Sequence, residues 1–170
     1  MEFLELAKKR YSCRKFSDKP VEKELVDRII ESAIVAPTAV NKQPFKIWVM
    51  ESEEAKETIR QITRYTFGAE TFLVVGYKED EAWVRKYDSR NFADIDASIV
   101  ATHMMMEIED LGLATTWVGY FDAPKLKELC PQMEGYGLIA IFPIGYAAED
   151  AEPSPRHNER RGKEEIVEIL

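Results

Sequence analysis

Between Asn91 and Leu111 the residues Ile95, Ile99, Val100, Met104, Ile108 and Leu111 recur every three or four positions. That spacing predicts a long helix, and one this apolar needs burial on most of its sides. Gly112 stands where its C-terminus falls. The rest of the chain therefore has to supply the layers that cover it. With 170 residues, 45% of them hydrophobic, it has the material for one sizeable core; a chain of this size buries about 70% of its unfolded surface.

Shorter elements flank this helix. Phe3, Leu4 and Leu6 suggest a short helix ending near Arg10, followed by a polar connector to Asp18. Asp18 as a cap and Pro20 in the first turn predict a helix through Val21, Leu25, Ile29, Ile30 and Ala33, up to Pro37. Phe45 to Met50 reads as a strand, Glu53 to Tyr65 as an amphipathic helix, and Phe72 to Tyr77 as a buried strand. Lys78 to Arg90 gives no clear pattern. Strands are expected at Thr115 to Tyr120 and Leu138 to Ile144, with a helix from Pro124 to Leu129 between them. Lys163 to Leu170 reads as a last helix or strand. Helices and strands mixed without regular alternation favour an α+β layer over a doubly wound parallel sheet. The chain reads as a single domain, 1–170, with 149–170 as a C-terminal arm rich in Pro, Glu and Arg. Such an arm needs something to lie on, and a partner subunit is the candidate, so a homodimer is expected.

Composition removes several function classes. The chain has 31 acidic and 23 basic residues, a formal charge of −8, and no long Lys/Arg run, so neither nucleic acid nor an anionic membrane is an expected partner. Two cysteines, Cys13 and Cys130, are far from a disulfide framework, which points to the cytoplasm. No export signal or membrane span is read. His103 and His157 are too far apart in sequence to suggest a metal site. Met104 to Met106 read as core or interface filler, His103 as structural, and Trp83 and Trp117 as core aromatics.

Two short segments carry possible chemistry. In Arg10-Tyr11-Ser12-Cys13-Arg14, an extended backbone points Arg10, Ser12 and Arg14 to one side, where two forked guanidiniums and a hydroxyl suit a phosphate. The competing reading is a solvated basic connector. Arg156, Arg160 and Arg161 form a second basic cluster in the tail, which also reads as solvated. Between the second helix and the first strand, Asn41 and Gln43 offer amides that can read the polar edge of a heterocycle, or simply make turns.

Taken together these segments resemble the nitroreductase family of flavin mononucleotide (FMN) enzymes. Arg10 to Phe16 looks like its Arg-x-Ser-x-Arg-x-Phe signature, and Ala36 to Phe45 is similar to its Ala-Pro-Ser-x-x-Asn-x-Gln-Pro-Trp loop, with Thr38 in place of Ser and Phe45 in place of Trp. Asp96 to Gly112, Thr116 to Tyr120 and Arg160 to Val167 resemble the family's central helix, the strand after it and its basic C-terminal end. Residues 65–91 match poorly, in a region that helps to shape the family's substrate entrance.

The resemblance implies an α+β fold with a central, mostly antiparallel sheet flanked by helices, in an intertwined homodimer. It implies that Arg10, Ser12 and Arg14 contact the flavin's phosphate, ribityl chain and ring edge. Pro37, Thr38, Ala39 and Asn41 would come from the partner subunit to line the ring, and the backbone of Val118, Gly119 and Tyr120 would approach its N5 side. Arg160 or Arg161 would close on the phosphate. The expected activity is FMN-dependent transfer of hydride from NADH or NADPH to a nitroaromatic, quinone or similar acceptor, by a ping-pong route, with no side chain assigned as a catalytic group. A flavin-binding sensor or carrier, and a relative with dehalogenating or flavin-fragmenting chemistry, are the alternatives. Cys13 reads as a packing residue.

Overall fold

The strand β2, Thr71–Tyr77, has both faces covered, which is why it reads as an unbroken apolar run rather than an alternating one. It lies second in a four-stranded antiparallel sheet of order β1-β2-β6-β5, with β1 at Phe45–Met50, β5 at Ala114–Thr115 and β6 at Gly137–Gly145. The computed structural model describes residues 2–170; Met1, the first residue of the expected domain, lies outside them.

Alternation along the strands divides the core in two. Leu73, Val75, Ala140, Phe142 and Ile144 face α2 (Lys23–Ile34) and α4 (Ala93–Asp110), where Ile29, Ala97, Val100, Met104 and Ile108 are fully buried. Phe72, Val74 and Ile141 pack with residues of α3 (Glu53–Ile62) and α5 (Ala123–Leu129), chiefly Ile59, Ile62 and Leu126. Truncating a side chain such as Ile108 to alanine costs about 2–5 kcal/mol in a site of this kind. Gly112, at φ 75°, ends α4 in the left-handed region that glycine adopts without strain. The helix is buried on one side only, however. Ile95, Ile99 and Met106 remain partly exposed, and His103 is at the surface, while Met104 is core.

Several boundaries differ from the sequence expectation. The second helix starts at Lys23, not Pro20, and Asp18 does not cap it. Glu22 takes the cap position with extended backbone, and its carboxylate accepts the Tyr146 hydroxyl at 2.8 Å and pairs with Lys19 at 3.5 Å, which holds the preceding turn out of the helix. The third helix ends at Ile62, because Thr63 turns extended and its hydroxyl donates to the Tyr120 carbonyl at 2.9 Å. The expected strand from Thr115 to Tyr120 is two residues long. After Thr115 the chain leaves the sheet and returns once, at Val118, which exchanges hydrogen bonds of 3.0 Å with Ile141 in both directions. Trp117 swings out between these points and rests edge-on against Phe142, 38% exposed, so it is not a core aromatic. Residues 78–90 contain a turn and most of a small hairpin, β3 (Val84–Arg85) with β4 (Arg90–Asn91). α1, Phe3–Lys9, packs near α4, and the chain closes with α6, Lys163–Ile166. No helix of the described residues is long and apolar enough to cross a membrane.

Candidate active site

The segment after α1 runs extended. Ser12 bridges to Thr115 in parallel, and the Cys13 N–H donates to the Thr115 carbonyl at 3.0 Å. Alternation then buries Cys13 completely, half-buries Tyr11, and turns Arg10, Ser12 and Arg14 the other way. Burial raises the Tyr11 phenol above its ordinary range, with the neighbouring Cys13 and Glu109 adding to the effect. The Cys13 thiol donates to the Lys15 carbonyl at 3.2 Å, as a packed residue does.

The tail returns across this segment. Ala147 bridges to Phe16, the Ala148 N–H donates to the Lys15 carbonyl at 3.0 Å, Asp150 pairs with Lys15, and the His157 ring lies 3.3 Å from the Lys8 carbonyl. A cavity of about 290 Å³ results, lined by Arg10, Ser12 and Arg14 from one side and Ser154, Arg156, His157 and Arg160 from the other. Two backbone carbonyls, of His157 and Glu159, hold the Arg160 guanidinium at 2.5 and 2.7 Å. Arg161 does not line it. Its guanidinium turns to the Glu165 carboxylate at 3.4 Å and to the Glu165 carbonyl at 3.0 Å. No carboxylate faces the cavity, and Nη1 of Arg10 is buried with no acceptor among the described residues. A buried guanidinium donor left unpaired is costly unless a ligand meets it. Four arginines with one orphaned donor fit a phosphate.

Arg14 also lines a second cavity, of about 240 Å³, whose walls are Tyr65, Phe67, Thr116, Trp117 and the backbone of Val118, Gly119 and Tyr120. It occupies the gap left where the strand after Thr115 breaks. Tyr65 lies 5.8 Å from Phe67 and 5.9 Å from Tyr120 between ring centroids, giving an aromatic wall. At Gly119 a Cβ would meet only the Trp117 ring, 3.7 Å from its Nε1. The chain's own packing thus does not demand glycine there, whereas a ligand in the slot would. A phosphate cradle joined at Arg14 to a slot with aromatic walls suits a phosphorylated planar ring.

Pro37, Thr38, Ala39 and Asn41 line neither cavity of their own chain. Their loop is strained: Val40, Asn41 and Gln43 hold φ of 49°, 54° and 51°, a conformation that costs of order 1–3 kcal/mol at a non-glycine residue. The Gln43 N–H donates to the Thr38 hydroxyl at 3.0 Å, and the Ala39 N–H donates to the Asp96 carboxylate at 2.9 Å. Asp96 is 1% exposed, and its other oxygen has no partner among the described residues.

One cleft therefore collects Arg10, Ser12, Arg14, Val118, Gly119, Tyr120 and Arg160, and leaves out Arg161 and the 37–41 loop. Sequence reasoning passed over His157, Tyr65 and Phe67, and read Arg156 as solvated. It also passed over Asp96, although a carboxylate one turn before Val100, in an apolar stripe, was a visible signal.

The model of the nitroreductase family matches residues 7–70 and 63–146. A candidate NADH dehydrogenase/NAD(P)H nitroreductase of Methanothermobacter thermautotrophicus is 27% identical over 88% of this chain and 80% of its own length. The crystal structure of a nitroreductase family protein from Clostridium difficile superposes with a TM-score of 0.91 at 36% identity, covering 99% of this chain and 98% of that one. A candidate nitroreductase from Exiguobacterium sibiricum, solved in complex with FMN, shares the fold at a TM-score of 0.85 and 20% identity, over 100% of this chain and 98% of that one.

Proposed function

The chain belongs to the nitroreductase family, and from that membership we propose that it is an FMN-dependent oxidoreductase drawing on NADH or NADPH to reduce a small oxidised acceptor. The observation that carries this reading is the buried, acceptorless Nη1 of Arg10 in a cradle of four arginines that opens into an aromatic slot. FMN has a phosphate for the first and a planar ring for the second, and a solved relative of this fold contains it. When bound, FMN supplies the two-electron relay between a reduced nicotinamide and the acceptor.

The chain's own residues then bind and orient. Arg10, Arg14, Arg156 and Arg160 hold the phosphate, and the Ser12 hydroxyl adds a neutral hydrogen bond. Val118 is held to the sheet through Ile141, and Gly119 and Tyr120 beside it present backbone along the ring, where preorganised N–H groups favour developing negative charge. Tyr65 and Phe67 keep one side of the slot apolar. No side chain is assigned as a catalytic acid or base. Donor and acceptor share one slot in turn, which gives ping-pong kinetics, and nitroaromatics and quinones are the acceptor class.

The working unit is a homodimer. Ile95, Ile99 and Met106 on the uncovered side of α4, with Phe3 70% and Val40 72% exposed, leave an apolar surface that a second copy buries. In that arrangement the partner's loop carrying Pro37, Thr38, Ala39 and Asn41 completes the slot, a role supported by its strain and by its lining neither cavity of its own chain. The 1–170 chain acts as one domain. Within the arm, Asp150 and His157 engage their own chain, so Ile166, Val167, Ile169 and Leu170, all exposed, are the part left to reach the partner.

Steady-state oxidation of NADH and NADPH by FMN-loaded protein, with and without a nitroaromatic or a quinone, tests the activity. Acceptor-dependent turnover is expected. Its absence overturns the enzyme reading and leaves a flavin carrier.

A further inference from the structure

A groove of about 690 Å³ continues from the slot at Gly119 and Tyr120, with Arg60, Arg64 and Asp122 on its outer walls. Two cross-links fix those walls to each other: the Thr63 hydroxyl donates to the Tyr120 carbonyl, and the Asp122 N–H donates to the Ile62 carbonyl, both at 2.9 Å. The groove thus borders the slot along Gly119 and Tyr120.

Its charges do not balance. Arg60 is matched by Glu70 at 3.3 Å and Glu57 at 3.7 Å. Asp122 is occupied in capping α5, where it accepts the Lys125 N–H at 3.0 Å. Arg64 has no carboxylate partner among the described residues. Its Nη2 donates to the Tyr65 hydroxyl at 2.9 Å, and its guanidinium carbon stands 5.0 Å from the centroid of the same ring. Tyr65 is the wall of the slot, so the ring that borders the reacting molecule also positions a guanidinium beside it, with most of its donors unused. In a chain of net charge −8 an unmatched cation held at such a place is a selective feature.

We propose that this groove is an anion subsite, in which Arg64 receives the carboxylate or phosphate carried by a molecule that reacts in the slot. The inference rests on the oxidoreductase reading above. The anion has two sources, a carboxylate on an aromatic acceptor or a phosphate of the nicotinamide nucleotide, and the guanidinium fork suits both. Because the groove is open to water, the preference is moderate and weakens with salt.

The test uses FMN-loaded protein, unaltered and with Arg64→Gln or Arg64→Lys. Calorimetric titration with benzoate and with benzyl alcohol reads binding without turnover, and KM values for para-nitrobenzoate, para-nitrobenzyl alcohol and NADPH read it during turnover. Arg64→Gln is expected to weaken benzoate binding and raise the para-nitrobenzoate KM roughly tenfold, with Arg64→Lys between the two and the alcohols changed less than about twofold. A rise confined to NADPH also supports the subsite and assigns the anion to the nucleotide. Anion and alcohol arms that shift alike, or not at all, in protein that holds FMN and turns over overturn the subsite and leave the oxidoreductase reading standing. Protein that takes up no FMN overturns both.

Discussion

The buried carboxylate of Asp96, in the first turn of α4, accepts the Ala39 N–H at 2.9 Å and so ties the long helix to the strained loop that follows α2. Replacing Asp96 with alanine strands a partly buried backbone donor and releases a loop held at three left-handed residues. Asp96→Ala is expected to lower unfolding free energy by about 1–3 kcal/mol in denaturant titration. Asp96→Asn keeps an acceptor and should cost clearly less. Equal losses for the two would mean that the hydrogen bond to Ala39 does not hold the loop.

Adjacent arginines in the tail separate the cradle from its surroundings. Arg160 lines the cavity with Arg10 and Arg14, and Arg161 pairs with Glu165. Arg160→Ala, like Arg10→Ala, is expected to weaken FMN binding by roughly 1.5–3 kcal/mol, as loss of a charge-assisted bond does. Arg161→Ala should change it by less than about 0.5 kcal/mol, the usual range for a surface substitution. Fluorescence titration with FMN reads the difference, and a larger effect at Arg161 would contradict the geometry.

Gly119 discriminates packing from ligand space. A methyl group there meets only Trp117, at 3.7 and 3.9 Å, which is ordinary contact. Gly119→Ala should therefore fold with stability unchanged or raised by about 0.4–1 kcal/mol, while binding FMN more weakly. Full FMN affinity in that variant would show that the ring stays clear of this backbone.

The end of the chain tests the proposed assembly. Removing Gly162 to Leu170 takes away four exposed apolar side chains but leaves Arg156 and Arg160 in the cradle. Sedimentation equilibrium is expected to show a weakened dimer whose subunits still form the phosphate cavity. Association as tight as that of the full chain would rule out an exchanged arm.

How much of this was legible in the residues depends on the range of the interaction involved. The alternation at Arg10, Ser12 and Arg14 is local, and it follows from an extended backbone with Cys13 buried between them. Two strands of the sheet were legible for a similar reason: β1 and β6 fall within a residue of their expected bounds, because β-branched and aromatic runs mark them, while their antiparallel order was implied by the family resemblance alone. What escaped depends on distant partners. Thr63 ends α3 by reaching Tyr120, 57 positions away, and Glu22, at the cap position of α2, has its carboxylate drawn off to Tyr146, 124 positions away. At the break after Thr115 Trp117 packs on Phe142, a contact no local pattern reveals. His157 belongs to the cradle only because the tail folds back over residues 8–16.

The role proposed for the arginine cradle and the slot is jointly to hold FMN and present it to a reduced nicotinamide. Visible absorption of the purified protein, titrated with FMN and then with NADPH under anaerobic conditions, tests it in one cuvette. A saturable, perturbed flavin spectrum that NADPH bleaches and a nitroaromatic restores is expected, with the binding step lost in Arg10→Ala. A spectrum identical to that of free FMN, unaffected by the Arg10 substitution, would contradict it.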